Sequence, residues 1–218
     1  MIYLLFACNL FTVSTNDWDS VWGLDVSHHQ KKIEWTELEK SKPHFVFLKA
    51  TEGTTHKDKK YKEYKQKFEA LNIPVGAYHF FSYTSPGASQ AQNYIKTANL
   101  KQGNLYPVLD VEYQNRKNMP EAKIIKKEIT DFIDIIEKEL GVKPIIYCEC
   151  PYYNEYLKEI LDKDYPLWIA SFSKYQPNCG YVFWQKTDQH VHKAFEGTID
   201  YNTFNGTKES LQNYILNQ

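Results

Sequence analysis

Short apolar runs alternate along the chain with segments of helical periodicity. The runs that read as strands cover residues 22–26, 45–49, 75–80, 106–111, 144–148, 167–170, 182–185 and 198–200. Strands that alternate with helices are typical of an α/β domain with a parallel sheet. The pattern therefore predicts one α/β domain with about eight strands.

Three segments repeat apolar residues at spacings of three and four, which is the period of one helix face. They are residues 57–72, a helix that begins at Pro86 with Ser85 as its cap, and residues 121–140, which Gly141 ends. The residues expected to face inward are Tyr61, Tyr64, Phe68 and Leu71; Ala88, Ala91, Ile95 and Ala98; and Ile125, Ile129, Phe132, Ile136 and Leu140. Each helix is expected to cover a sheet face.

The helical pattern thins after residue 140. Loops containing Pro, Gly and Asn join the strands near residues 167, 182 and 198, and only a short closing helix is expected over residues 208–216. We therefore expect an incomplete TIM-like β/α barrel with fewer outer helices than strands.

Residues 1–20 are predicted to be a leader that precedes the folded domain at 21–218. An apolar run over residues 1–13 is followed by a polar stretch at 14–20, as at the end of a secretory signal. A lipoprotein-type segment that uses Cys8 is the other interpretation. Both favour a secreted or cell-surface protein.

Composition narrows the function classes. With 26 Lys plus Arg and 27 Asp plus Glu, the chain has no net charge that would attract nucleic acid or an anionic membrane from a distance. The 17 Tyr, 12 Phe and 5 Trp would suit sugar rings, although core packing explains most aromatic residues. Cys148, Cys150 and Cys179 form a weak metal signal, and they are either small core residues or a disulfide from Cys179 to Cys148 or Cys150.

Three runs that contain acidic residues provide the candidate catalytic groups. Asp25, the pair Asp110 and Glu112, and Asp200 each lie at the predicted end of a strand, where β/α barrels place their active sites. Side chains two apart on an extended segment leave the same face. Two close carboxylates repel, so the pKa of one of them rises and it can keep a proton near neutral pH. Such a group can protonate a glycosidic oxygen, whereas a lone acid would more simply cap a loop.

Two further polar residues are ambiguous on their own. His79 is either a satisfied interior histidine or a residue of the cleft at its strand end. Glu52 is either a loop acid or a substrate contact.

Eight motifs stand in an order that resembles glycoside hydrolase family 25 lysozymes. They are Gly-Leu-Asp-Val-Ser at 23–27 with Gln30, Ile33 and Trp35, followed by the segments 45–53, 75–80, 107–112, 143–147, 167–170, 184–185 and 199–204. The resemblance covers the chain from Trp22 to about Leu216. One tripeptide would be weak evidence, but eight in order are specific.

The resemblance implies a flattened β/α barrel and an N-acetylmuramidase, which hydrolyses the β-1,4 bond between N-acetylmuramic acid and N-acetylglucosamine. It implies that Glu112 is the general acid and base and that Asp110, Asp25 and Asp200 complete the acids. Substrate contacts are expected from Tyr78, His79, Glu52, Tyr147, Trp184 and Gln185. No metal or organic cofactor is implied, and the expected partner of the monomer is the peptidoglycan glycan strand.

Two other functions compete with this interpretation. A chitinase-like glycosidase would also use an Asp-x-Glu strand end, and a non-catalytic wall-binding module could keep the barrel without turnover. Retaining, inverting and substrate-assisted routes are all compatible with the pair. We favour the substrate-assisted route, because an Asp-x-Glu pair on one strand resembles the arrangement of substrate-assisted chitinases.

Overall fold

The computed structural model describes residues 21–217, and the predicted leader lies outside the described residues. The strands are β1 Trp22–Val26, β2 Phe45–Glu52, β3 His56–Lys57, β4 Val75–Phe80, β5 Val108–Asp110, β6 Ile145–Glu149, β7 Leu167–Ala170, β8 Phe183–Val191 and β9 Thr198–Phe204. The helices are α1 Trp35–Lys40, α2 Tyr61–Ala70, α3 Gly87–Ala98, α4 Ala122–Leu140, α5 Cys150–Tyr152 and α6 Lys208–Leu211. Every predicted strand segment overlaps one of these strands. None of the helices within residues 21–217 is long and apolar enough to cross a membrane.

The strands close into a barrel. Parallel pairing runs from β1 through β2, β4, β5, β6 and β7 to β8. Strand β9 lies antiparallel between β8 and β1 and completes the ring, while β3 adds a short antiparallel extension to β2. The predicted incomplete TIM-like β/α barrel is confirmed, because eight strands close and several connections carry no long helix.

Aromatic side chains fill the half of the barrel interior at the amino-terminal ends of the parallel strands. Phe47 stacks on Trp168 with ring centroids 4.4 Å apart, and Phe183 packs edge-on against Phe47 at 5.2 Å. Gly76 makes room for this layer, since a Cβ there would lie 2.4 Å from the Phe47 ring. This apolar layer leaves the other half of the interior, at the carboxyl ends of the parallel strands, to polar side chains.

Helix α3 differs from the prediction at its start. The N-cap position is Pro86, and Ser85 makes no capping hydrogen bond. The Gly87 amide instead donates to a carboxylate oxygen of Glu128 on α4, at 2.7 Å. Because a Cβ at Gly87 would lie 1.8 Å from the Glu128 carbonyl oxygen, the two helices are too close for any larger residue. The predicted Ser85 cap was wrong, since the cap comes from a helix distant in sequence.

The other helix predictions agree more closely with the structure. Helix α4 buries four of its five predicted inward residues, and Gly141 ends it in the left-handed conformation at φ 69°. Helix α2 begins at Tyr61 rather than at 57, because Lys57 pairs with β2. The short helix α1 was not predicted.

Candidate active site

All four predicted acids lie at one end of the barrel. Asp25 is on β1, Asp110 ends β5, and Glu112 follows two residues later on the same face. Asp200 pairs directly with Asp25 across the antiparallel β1–β9 ladder. It lies near the amino-terminal end of β9, because this strand runs opposite to the others. The sequence placed Asp200 at a carboxyl end, which is wrong, although the reversed strand still brings it to the cleft.

Asp25 and Asp200 form one hydrogen-bonded pair. Oδ2 of Asp25 accepts hydrogen bonds from Gln185 Nε2 at 3.0 Å and Asn202 Nδ2 at 2.8 Å, and its side chain is also hydrogen-bonded to Asp200. Burial, followed by the charge of Asp25, raises the pKa of Asp200 to about 9. At neutral pH, Asp200 therefore keeps its proton and donates it to the Asp25 carboxylate.

Two aromatic side chains orient the amides that support Asp25. The Tyr147 hydroxyl donates to Gln185 Oε1, and Trp168 Nε1 donates to Asn202 Oδ1, both at 2.8 Å. Each amide therefore turns its NH₂ group toward Asp25. Sequence reasoning missed Trp168 and Asn202. A usable signal was present for Asn202, because it stands two residues after Asp200 and shares its strand face.

Asp110 and Glu112 form a second hydrogen-bonded pair. Burial and the neighbouring Glu112 charge raise the pKa of Asp110 well above its ordinary value. Burial and the charge of Glu149 raise the pKa of Glu112. The two carboxyl groups share a hydrogen bond and can therefore share one proton.

The two members of this pair differ in access. Asp110 is only 6% exposed, and its Oδ1 is buried without a hydrogen-bond partner among the described residues. Glu112 is half-buried and lies farther along the face toward solvent. Glu112 is therefore the more accessible carboxyl group of the pair.

Lys49 is a cation at the cleft that sequence reasoning missed. Its Nζ lies 2.8 Å from Glu52 Oε2 and 4.7 Å from the Phe80 ring centroid, and its side chain is 12% exposed. Its charge lowers the pKa of both Asp110 and Glu112, against the larger effect of burial. The signal was a lysine at an inward position of an otherwise apolar strand. Glu52 is accordingly the ion-pair partner of Lys49 at this edge of the cleft.

Tyr78 faces the barrel interior, but two predicted substrate contacts do not. His79 is fully buried on the outer face of β4, where its Nδ1 lies 2.7 Å from Thr51 Oγ1 and its Nε2 3.0 Å from Gln90 Oε1. Of the two alternatives that the sequence left open, the structure supports an interior histidine whose two ring nitrogens both have hydrogen-bond partners. Trp184 also faces outward, opposite to Gln185, and donates to the Ser171 carbonyl at 2.7 Å. Strand alternation places both residues away from the cleft.

A pocket of about 600 Å³ lies beside the acids, at the carboxyl ends of β6 and β7. Glu149 lines it, and the exposed rings of Phe172 and Tyr175 stand at its rim, 59% and 69% exposed. A disulfide between Cys150 and Cys179 holds the β7–β8 loop in place. This is one of the pairings left open by the sequence.

Cys148 keeps a buried free thiol. Within residues 21–217, no group of three or more His, Cys, Asp or Glu is arranged to hold a metal ion.

Replacing Asp200 by asparagine, which cannot ionise, should make the melting temperature depend less on pH. Because the pKa of Asp200 is raised in the folded protein, its stabilising contribution is complete below the ordinary value of 3.8 and is lost as pH rises through about 9. Asp200→Asn still donates to Asp25 but cannot ionise. We expect the melting temperature of the wild type to fall more steeply than that of the variant between mildly acidic and alkaline pH. Equal slopes in thermal melts would contradict the assignment of the proton to Asp200.

Removing the Lys49 charge should move the alkaline limb of the activity profile. Lys49→Met takes away a charge that lowers the pKa of Asp110 and Glu112, so the pair should keep its proton to higher pH. The pH dependence of kcat/KM should then extend further into the alkaline range. Lys49→Arg keeps the charge and is the matched control. An alkaline limb that stays in place in Lys49→Met would show that Lys49 does not tune the pair.

The chain is similar to known proteins in its sequence and in its fold. The family model for glycosyl hydrolases family 25 matches residues 24–195. A family 25 glycosyl hydrolase from Bacillus anthracis superposes with a TM-score of 0.82 at 33% identity, covering 91% of this chain and 94% of that one. The bacterial lysozyme from Streptomyces coelicolor also gives 0.82, at 26% identity, covering 91% of this chain and 98% of that one. The uncharacterized protein YegX of Escherichia coli O6:H1 is 32% identical over 204 residues, which is 90% of this chain and 74% of that protein.

Proposed function

Because the chain belongs to glycosyl hydrolases family 25, we propose that it is a lysozyme that hydrolyses the β-1,4 bond between N-acetylmuramic acid and N-acetylglucosamine in peptidoglycan. The observation that carries this proposal is the buried Asp110–Glu112 pair, because burial raises the pKa of both carboxyl groups and so favours a protonated acid in the cleft. Two lysozymes among the known proteins, the autolytic lysozyme of Clostridium acetobutylicum and lysozyme M1 of Streptomyces globisporus, support the same activity.

Glu112 is proposed as the general acid and base. Its proton passes to the glycosidic oxygen as the bond from that oxygen to the anomeric carbon breaks, and the leaving sugar departs with a new hydroxyl group. A water molecule later attacks the anomeric carbon and gives its proton back to Glu112. Both steps need the side chain that reaches the cleft, which is why Glu112 and not the more deeply buried Asp110 takes this role.

Asp110 is proposed to direct the 2-acetamido group of the substrate. Its buried Oδ1, which has no hydrogen-bond partner among the described residues, can accept the acetamido N–H. The acetamido oxygen then forms the bond to the anomeric carbon as the glycosidic bond breaks, and the water attack releases it. The negative charge that remains on the pair stabilises the cationic intermediate.

The remaining cleft residues are proposed to hold the sugar in place. The Asp25–Asp200 pair lies on the opposite wall, and the Tyr147–Gln185 hydrogen bond fixes the orientation of the Gln185 amide beside it. Tyr78 adds an inward aromatic ring for contact with the sugar. Glu52 is proposed as a substrate contact at the rim, where its ion pair with Lys49 holds its position. The neighbouring pocket with Phe172 and Tyr175 offers room for a further unit of the glycan.

The substrate lies outside the cytoplasmic membrane, so the protein is proposed to act after secretion or at the cell surface. Its proposed partner is the glycan strand, and we propose a monomer that needs neither nucleic acid nor membrane contact. Residues 21–218 are proposed as the catalytic domain.

Parallel digestion of purified peptidoglycan and chitin tests the substrate class. We expect reducing ends to appear from peptidoglycan and not from chitin. Release from chitin at an equal or higher rate would favour a chitinase-like glycosidase instead. Binding to peptidoglycan without release would identify a non-catalytic wall-binding module, which the four intact acids argue against.

A further inference from the structure

A groove of about 580 Å³ lies on the outer face of the barrel, away from the acids. It runs between the end of α1 and the hairpin formed by β8 and β9. Residues 192–197, which join these two strands, form no helix, so this part of the sheet is not covered as the others are. The lining residues are Trp22, Glu37, Lys40, Ser41, His190, Val191, His192, Lys193 and Tyr201.

One wall of the groove is aromatic. Trp22 and Tyr201 lie nearly parallel, with ring centroids 5.9 Å apart and 17° between their planes. His190 packs 4.8 Å from Tyr201, and His192 lies 6.0 Å from Trp22. Burial lowers the pKa of both histidines below the ordinary value, which favours neutral imidazole rings in this wall. All four rings are half-buried and keep part of their surface open to the groove.

The opposite wall is polar. Glu37 and Lys40 form an ion pair at 2.6 Å and keep 39% and 69% of their side chains exposed. Ser41 and Lys193 are exposed beside them. Hydrogen-bond donors and acceptors therefore face a flat aromatic wall across a space within the size range of small-ligand sites. A pyranose ring has the matching chemistry, because one face presents C–H groups and its rim presents hydroxyl groups.

We propose that this groove is a second saccharide-binding site that takes an N-acetylated pyranose unit of the glycan, outside the catalytic cleft. The inference rests on the proposed function, since a peptidoglycan strand supplies the same sugars at many positions. Tyr201 follows Asp200 directly on β9, and successive side chains point to opposite faces of a strand. The barrel wall therefore separates the groove from the cleft, and both can be occupied at once.

Two sites for one insoluble polymer change binding without changing the chemistry. When one site holds the wall, the other meets glycan at a high effective concentration. The groove should therefore strengthen adhesion to intact peptidoglycan and increase the rate on it, while short soluble fragments that occupy only the cleft should be turned over as before. This difference separates a binding groove from a residue of the catalytic machinery.

The test uses the full chain with Glu112→Gln added, so that peptidoglycan is not digested during the measurement. The groove variant is His190→Ala with Lys193→Ala, and Ser41→Leu fills the groove from its polar wall while leaving the rings intact. Tyr153→Ala with Lys158→Ala is the matched control, since it also removes one half-buried ring and one exposed lysine, but away from the groove. The affinity of each variant is measured by co-sedimentation with insoluble peptidoglycan from which the anionic wall polymers have been removed.

We expect both groove variants to bind about tenfold more weakly than the control, which is a modest loss for a bivalent contact. With Glu112 restored, their kcat/KM on short soluble muropeptide oligomers should equal that of the wild type. Affinities equal to the control in both groove variants would overturn the inference, as would a difference seen only on walls that retain anionic polymers. A wild-type chain that neither binds nor cleaves peptidoglycan would instead overturn the proposed function.

Discussion

Glu112→Gln should abolish almost all turnover while leaving the fold intact. Glutamine keeps the shape and the hydrogen-bonding capacity of the side chain but cannot deliver a proton, so kcat should fall by a factor on the order of 10² to 10⁴. Burial of an amide costs no more than burial of the protonated acid, so the melting temperature should change little. Kinetics on soluble muropeptide oligomers, with circular dichroism to verify folding, give both quantities.

The control for this substitution is Asp25→Asn. It also removes one carboxylate from the cleft, but we propose that Asp25 positions the substrate and does not transfer a proton. It should therefore retain more activity than Glu112→Gln. A folded Glu112→Gln protein with near-normal turnover would remove Glu112 from the mechanism, whatever the control does.

Asp110→Asn should produce the second largest loss. Asparagine can still offer a carbonyl oxygen to the acetamido N–H, but it carries no negative charge to stabilise the cationic intermediate. We expect kcat to fall by a factor on the order of 10² to 10³, with a much smaller change in KM, because the lost interaction strengthens toward the transition state.

The pH profile of the same variant gives an independent readout. The hydrogen bond from Asp110 lowers the pKa of Glu112. Asp110→Asn weakens this bond and ends the sharing of one proton, so the alkaline limb of kcat/KM should shift toward higher pH. A higher KM alone, with kcat and the pH profile unchanged, would show that Asp110 only binds substrate.

The sequence predicted the barrel because strand segments and helical stripes are local patterns. Residues such as Ile129 and Phe132 stand at helical spacing and are buried in α4 as expected. Patterns of this kind cannot show which helix caps another. The contact from Glu128 to the Gly87 amide joins residues 41 positions apart, and Ser85 offered a plausible local alternative.

The candidate site was predictable in its acids and less so in their surroundings. Asp110 and Glu112 stand together in the sequence, so their common face follows from strand geometry alone. Strand alternation turns Lys49 inward with Phe47, but its closeness to Asp110 depends on the order β2–β4–β5 in the closed barrel, which no local pattern specifies. For His79 a local rule was available: it stands one residue from the inward Tyr78, so strand alternation puts it on the opposite face, toward Gln90 of α3.

The most direct measurement of the central claim is the identity of the sugar at each new reducing end. Purified peptidoglycan is digested with the protein, the fragments are reduced with borohydride, and mass spectrometry identifies the reduced sugar. Cleavage of the proposed bond predicts fragments that end in reduced N-acetylmuramic acid. Fragments that end in reduced N-acetylglucosamine, or products of peptide cleavage alone, would contradict it.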